Sequence, residues 1–154
     1  MTTMTERFDR AAARYEHWWA PVLAPSARRL LDDLIAIVPA ARRILDVGTG
    51  TGTLALEALA RWPGAEVVGL DGSTGMLDVT AERAAARFDS STRDRLRLVS
   101  GLAERLPFPD EAVDLVVSSF VLQLVPHRGR ALREAYRVLR PDGWLGYVTW
   151  LEAP

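Results

Sequence analysis

The run Ile44-Leu45-Asp46-Val47-Gly48-Thr49-Gly50-Thr51-Gly52 restricts the fold more than any other part of this chain. A short apolar segment passes without a break into three glycines at alternate positions, and Leu54 to Trp62 then resumes helical spacing. Strand, glycine turn and helix in that order begin a crossover unit, and the alternation repeats downstream. Glu66 to Asp71 reads as a strand and Thr74 to Phe88 as a helix. Leu96 to Val99 and Val113 to Ser118 are further strands. Gly129 to Leu139 is a helix ended by Pro141-Asp142-Gly143, and Trp144 to Trp150 is a fifth strand. Ser90-Ser91-Thr92 is the expected flexible loop. Strands separated by helices pair in parallel with both faces covered, so the spacing predicts an α/β, doubly wound sheet.

Ahead of the first strand, Phe8, Ala12, Tyr15 and Trp19 share one face of a helix from Glu6 to Ala20, with Pro21 and Pro25 expected at its end. Ser26 is the expected N-cap of a second helix whose apolar face uses Leu30, Leu31, Leu34, Ile35 and Val38, closed by Pro39. At 154 residues and 49% apolar content the chain can bury one core. The expected organisation is one domain, 1–154, with a helical cap at 1–39 and a core at 40–154.

Composition removes several chemistries. All 19 basic residues are Arg, so no lysine is available for Schiff-base or nucleophilic chemistry. With no Cys there is no disulfide framework, thiolate nucleophile or Cys-ligated metal, and a cytoplasmic location is expected. A net charge of -1 gives no global attraction to nucleic acid or an anionic membrane, and neither is expected as a partner. No apolar run approaches the ~20 residues of a membrane span. A small-molecule partner fits better.

The glycine turn lets a ligand approach the backbone closely, at the carboxyl end of a strand where such sheets bind nucleotides. Asp71 ends the next strand, 19 positions past Gly52, where a carboxylate can accept both hydrogen bonds of a ribose diol. These two signals alone leave NAD and S-adenosyl-L-methionine open, and a tight turn without ligand is the plain alternative. In the dinucleotide pattern a third glycine would stand where Thr53 is, whereas Gly52 comes one place early, a spacing that leans towards S-adenosyl-L-methionine.

More of the chain carries a resemblance. The glycine turn, Val67-Val68-Gly69-Leu70-Asp71, Ala103-Glu104-Arg105-Leu106-Pro107-Phe108-Pro109-Asp110, Val113-Asp114-Leu115-Val116-Val117-Ser118-Ser119 and Arg137-Val138-Leu139-Arg140-Pro141-Asp142-Gly143 follow one another in order. Together, over roughly Ile44 to Leu145, they resemble the class I methyltransferases that use S-adenosyl-L-methionine, of the ubiquinone/menaquinone and biotin-pathway type. The resemblance implies a Rossmann-like sheet in the order 3-2-1-4-5, methyl transfer to a small-molecule acceptor at oxygen, nitrogen or carbon, and S-adenosyl-L-homocysteine as product. It also implies roles. Asp46 and the turn Gly48, Thr49, Gly50 and Gly52 would face the methionine end of the cofactor. Asp71, with Gly72 and Met76 beyond it, would face the ribose and adenine. Ala103, between Leu102 and Glu104, would meet the adenine edge, and Ser118 to Phe120, including Ser119, would lie beneath the methyl. Phe8 and Tyr15 would form a lid, Tyr15 foremost, because aromatic faces suit a sulfonium; packing is the alternative. Since a sulfonium already carries an activated methyl, alignment and desolvation could suffice without a dedicated catalytic residue.

Two departures stand out. Relatives usually carry an acid where this chain has Leu102, and an apolar side chain where it has Gly72. One lost hydrogen bond and one lost face contact would together cost on the order of 1 to 3 kcal/mol of binding, about tenfold or more in affinity. Relatives also continue past the fifth strand with a helix and an antiparallel strand pair, whereas this sequence ends at Pro154. The strand at 144–150 is therefore expected to present an edge covered by a second copy, a partner or further sequence.

The remaining candidates carry weaker signals. His127, after the fourth strand, is the one candidate general base, and His17 a lesser one; solvent exposure is the plain reading for both. They form no metal-ligand spacing. Trp18 and Trp19 are expected in the core or a substrate wall. Arg93 to Arg97 reads as a solvated strand entry, and Arg133, Glu134 and Arg137 as an exposed helix face. A methyltransferase is thus the leading reading, and a methyltransferase-like binding module acting with a partner chain is the alternative.

Overall fold

The structure, a computed structural model, describes residues 4–150. Two helices, α1 (Met4–Trp18) and α2 (Ala20–Ile37), precede β1 (Arg43–Val47). Then follow α3 (Thr53–Arg61), β2 (Glu66–Asp71), α4 (Thr74–Arg87), α5 (Ser90–Arg93), β3 (Leu96–Ser100), β4 (Val113–Ser119), α6 (Arg128–Val138) and β5 (Leu139–Val148). The five strands form one sheet in the order β3-β2-β1-β4-β5, with every pairing parallel. The doubly wound architecture and the strand order are both as expected.

Both faces of the sheet are buried, as parallel pairing requires. Ile44 and Leu45 are each 0% exposed, yet they belong to different cores because successive strand side chains point to opposite faces. Ile44, Val67, Leu115 and Val117 pack against α2 and α3. Leu45, Leu70 and Val116 pack on the other face against Ala131, Ala135 and Val138 of α6.

Several local expectations are corrected. The second helix starts at Ala20, not after Ser26, and Pro21 and Pro25 lie inside it. Proline in the first turn lacks only an amide that would have had no partner. Pro25 removes a ladder bond, a cost of about 3 kcal/mol. A buried stripe of Ala20, Ala24, Ala27, Leu31 and Leu34 offsets it, each leucine contributing about 1.5–3 kcal/mol. Trp18 and Trp19 are 68% and 55% exposed and belong to neither core. Ser90-Ser91-Thr92 is the helical turn α5, not a loop, because the Asp89 carboxylate accepts from the Thr92 amide at 2.8 Å.

Arginine side chains account for other differences. Arg95 lies on no solvated entry: its guanidinium donates to the carbonyls of Leu59, Trp62 and Ala65 at 2.8–3.2 Å, closing the C-terminal end of α3. Arg137 and Glu134 do not form a free helix face either. Arg137 holds both oxygens of Glu134 at 2.8 Å, donates to the carbonyls of Leu106 and Phe108, and pairs with Asp110. Glu134 in turn accepts from the Leu106 amide at 2.8 Å, and Arg137 draws its carboxyl down to about 2. The pair clamps the segment after β3 to α6. Arg133 is exposed as expected.

β5 begins at Leu139, five residues ahead of the expected Trp144. Val113 pairs with Leu139 and Leu115 with Trp144, so Arg140–Gly143 bulges out between them. Among the described residues no strand lies beyond β5, where Trp144 and Tyr147 are 48% and 46% exposed. Among them, too, no helix is long and apolar enough to cross a membrane.

Candidate active site

The carboxyl ends of β1, β2 and β4 open on one cavity, roofed by α1 and the start of α2. Its floor begins with the glycine turn. Gly48, Gly50 and Gly52 hold φ of +73°, +56° and +86°, a region that disfavours any residue with a Cβ. The amides of Gly48 and Thr49 both donate to the Leu70 carbonyl, at 2.8 and 2.9 Å, which ties the turn to the end of β2. A Cβ on Gly48 would lie 2.3 Å from Val121 Cγ2, and one on Gly52 would lie 2.6 Å from Thr80 Cγ2. One on Gly50 would meet nothing within 4 Å, so this glycine faces the open cavity.

The three glycines therefore differ. Gly48 and Gly50 line the cavity, whereas Gly52, expected to touch a cofactor, does not and is small because α4 packs on it. Gly52→Ala is expected to cost about 2–4 kcal/mol of stability, from the positive φ and the overpacking, while the folded fraction keeps its ligand affinity within about threefold. Gly50→Ala is expected to show the opposite split, with a smaller stability loss and a larger affinity loss. Urea denaturation and calorimetric titration of the two variants check this.

Asp46 is 1% exposed and also lines the cavity. Its Oδ2 accepts from the Thr49 hydroxyl at 2.8 Å and from the Ala55 amide at 3.1 Å, so it caps α3 from the strand, where Gly52 at the N-cap has no side chain. Its Oδ1 is buried without a protein partner among the described residues. Burial pushes the carboxyl up to about 7, against the two hydrogen bonds that lower it and with a further push from the charge of Asp71.

Asp71 stands across the turn. Oδ2 accepts from the Gly50 amide at 2.8 Å and Oδ1 from the Ser73 amide at 2.9 Å, so the acid is held by the two loops it separates. Burial raises its pKa, partly offset by these amides. Tyr15 reaches the same cavity from α1; burial raises its phenol, helped by the charge of Asp71, which keeps the hydroxyl protonated. Phe8 lines the cavity beside it, the two rings edge to face at 6.1 Å. Gly72, Met76, Leu102, Ala103 and Glu104 complete the wall beyond Asp71.

Beneath the turn, Ser119 lines the cavity but Ser118 does not: 2% exposed, it donates to the Val47 carbonyl at 2.8 Å and joins β4 to β1. His127 stands exposed at the N-terminus of α6, and His17 is exposed against Trp18; neither lines the cavity. The expectation of His127 as a base has no geometric support, because the chain leaves the cavity at Pro126, one residue earlier. Phe120 holds φ +57°, with its amide bonded to the Val148 carbonyl at 2.8 Å and its ring on the cavity floor, 4.6 Å from Trp150. Leu23, Val121, Leu124 and Val125 add apolar walls. Reading by motif missed these, because nothing local shows that α2 and the segment after β4 meet across the sheet. Asp46, Asp71 and Glu104 line the cavity, and among the described residues no arginine or histidine does, so the field of these walls is anionic.

The sequence matches the methyltransferase domain family over residues 45–146. The chain belongs to that family. This methyltransferase domain is 43% identical over 118 residues to a demethylmenaquinone methyltransferase of Thermus thermophilus, covering 77% of this chain and 50% of that protein. It is 40% identical over 127 residues to a malonyl-[acyl-carrier protein] O-methyltransferase of Methylococcus capsulatus, covering 80% and 43%. A solved SAM-dependent methyltransferase from Thermotoga maritima superposes with a TM-score of 0.67 at 26% identity, covering 94% of this chain and 60% of that one. The domain thus spans about half the length of the curated relatives it matches.

Proposed function

We propose that this methyltransferase domain binds S-adenosyl-L-methionine in the cavity and delivers its methyl group to a small, apolar, uncharged or cationic acceptor, leaving S-adenosyl-L-homocysteine. What carries the reading is the pairing of Asp71 with the outward-facing Gly50 in a cavity whose buried Asp46 lacks a partner for Oδ1. The residues present fit the cofactor. Asp71 has lone pairs left for a ribose diol, Gly50 leaves room beside it, and the orphan oxygen of Asp46 suits the ammonium of a methionine end. A net anionic wall suits a ligand carrying a sulfonium. When bound, S-adenosyl-L-methionine supplies a methyl already activated by its positive sulfur.

The chain's own part is then positioning and water exclusion. Asp71 and the turn orient the donor, Phe8 and Tyr15 cover it, and Phe120, Leu124 and Val125 offer an apolar bed for the acceptor. Among the described walls an anionic acceptor would meet Asp71, Glu104 and the partly ionised Asp46, and no cation. Of the acceptors named for the relatives, a demethylated menaquinone suits these walls better than a malonyl group, which carries a negative charge. A second copy or partner covering β5 accords with the exposed Trp144 and Tyr147 and is tested by light scattering.

Calorimetric titration with S-adenosyl-L-homocysteine, thermal shift against NAD, and transfer of a labelled methyl to neutral and carboxylate acceptors test the proposal. Binding of the homocysteine product with transfer only to the neutral acceptors is expected. Stabilisation by NAD alone would overturn it, and a folded chain with neither binding nor turnover would favour the binding module. Leu102, 57% exposed at the wall, marks the position of the missing acid. Leu102→Asp is expected to tighten binding of the homocysteine product about tenfold by restoring one charged acceptor, as the same titration would show.

A further inference from the structure

α1 roofs the cavity with little apolar surface of its own. Among its described side chains only Ala12 is buried, while Phe8 and Tyr15 are half-buried and turned to the cavity. Polar contacts at two points seat it instead. Asp9 Oδ1 accepts from the Ser73 hydroxyl at 2.6 Å and from the Gly75 amide at 2.9 Å, in the first turn of α4. Two turns further along α1, Glu16 pairs with Arg83 at 3.1 Å. Asp9, Ala12 and Glu16 thus form one stripe on α4, and Phe8 and Tyr15 a neighbouring stripe over the cavity.

Two further observations single out the Asp9 end. A Cβ on Gly75 would lie 3.0 Å from the Asp9 carbonyl oxygen, so α1 packs on α4 too tightly there for a side chain to enter without displacing it. Ser73, which Asp9 holds through the hydroxyl, donates its amide to Asp71 at 2.9 Å. At the other end, Arg83 donates to the Thr51 carbonyl of the glycine turn at 2.6 Å. Each seat of α1 is therefore joined to a loop that frames the cavity. The same contacts with Ser73 and Gly75 hold the exposed Asp9 carboxyl below the usual carboxylate range.

We infer that Asp9 and Gly75 form the seat that keeps α1 closed over the cavity, which makes Asp9 a positioning residue for retention of the ligand beneath it. The inference rests on the cofactor reading above only for the identity of that ligand. A roof held by a few polar bonds, partly open to solvent, and little buried apolar surface opens at low cost. A ligand beneath Phe8 and Tyr15 favours the closed state, and its apparent affinity falls in proportion to the closed fraction.

Trypsin provides a readout that does not depend on activity, because Arg7, Arg10 and Arg14 are exposed on α1. Cleavage of a closed helix requires local opening, so the rate follows the open fraction. Asp9→Ala and Gly75→Ala are each expected to speed release of N-terminal peptides about fivefold or more without ligand. Each is also expected to weaken S-adenosyl-L-homocysteine binding, by a smaller factor, because affinity follows the closed fraction and a mostly closed roof loses little of it. Asp9→Asn, which keeps an acceptor oxygen, is expected to recover part of both effects. The effects in the double variant are expected to be less than additive, since a Cβ on Gly75 crowds Asp9 and so also disturbs the bond from the Gly75 amide to Asp9 Oδ1 that Asp9→Ala removes. In turnover, KM for the donor should rise more than kcat falls. Cleavage rates within twofold of the unmodified chain in both single variants, or fully additive effects in the double variant, would overturn the seat. Faster cleavage with no homocysteine binding by any form, the unmodified chain included, would instead count against the cofactor reading and leave the seat standing.

Discussion

Asp71→Ala is expected to weaken binding of S-adenosyl-L-homocysteine by about 100-fold or more. Two hydrogen bonds from a ribose diol to a carboxylate are charge-assisted, each worth about 1.5–3 kcal/mol, and alanine removes both. The loss is compounded because Asp71 also receives the amides of Gly50 and Ser73, so its removal frees the two loops that face the ligand. Asp71→Asn separates the contributions. It keeps one acceptor oxygen and the side-chain volume, and about a tenfold loss is expected of it. Calorimetric titration gives the affinities, and circular dichroism establishes that the sheet persists. Wild-type affinity in Asp71→Ala would remove the central support of the functional reading.

The second large effect is in the pH dependence of stability. Asp46 is held at about 7 in the folded chain, well above the ordinary aspartate value of 3.8. Between these values the folded state binds the proton more tightly than the unfolded state does. The stability of the ligand-free chain from this group is therefore full below about pH 4, falls as pH rises through 7, and is level above. The total change from Asp46 alone is on the order of 4 kcal/mol. Asp46→Asn, which does not titrate, should lack this decline, so the difference between the two chains in urea denaturation at pH 4 to 8 isolates it. Asp71, raised by burial in the same direction, titrates in both proteins and cancels except for its repulsion with Asp46, the last of the causes that shift Asp46. Glu134, held at about 2, adds stability above its unfolded pKa of 4.5 that is lost as the pH falls from there towards 2, alike in both proteins. Saturating S-adenosyl-L-homocysteine should flatten the decline in the unmodified chain, because a cation beside the orphan oxygen favours the ionised acid. A difference curve that stays flat from pH 4 to 8 would mean that Asp46 is not uncompensated in the ligand-free fold.

Much of the architecture could be read from periodicity, because an α/β chain alternates two patterns that differ in period, and glycine marks where one gives way to the other. β1, β2 and β4 came within a residue of their expected limits, since each is a short apolar run bounded by a turn. Asp71 and the glycine turn were legible for the same local reason: each lies at the end of a strand, where side-chain chemistry is not masked by packing. Proline misled the reading of α2, because its cost is local while the buried stripe that outweighs it becomes visible only once α3 and the sheet are in place. β5 misled it too, since a bulge is a matter of pairing between strands.

Order and type of the elements, the acid that ends β2 and the conformational demand of the turn follow from neighbours along the chain, because backbone sterics and side-chain period act over a few residues. Which glycine faces a ligand and which merely admits Thr80, why Ser119 lines the cavity and Ser118 does not, and how Asp9 and Arg83 fasten a helix to the loops of the site depend on residues tens of positions apart. Those distances are set when two faces of a sheet are packed at once, and no short-range rule contains them.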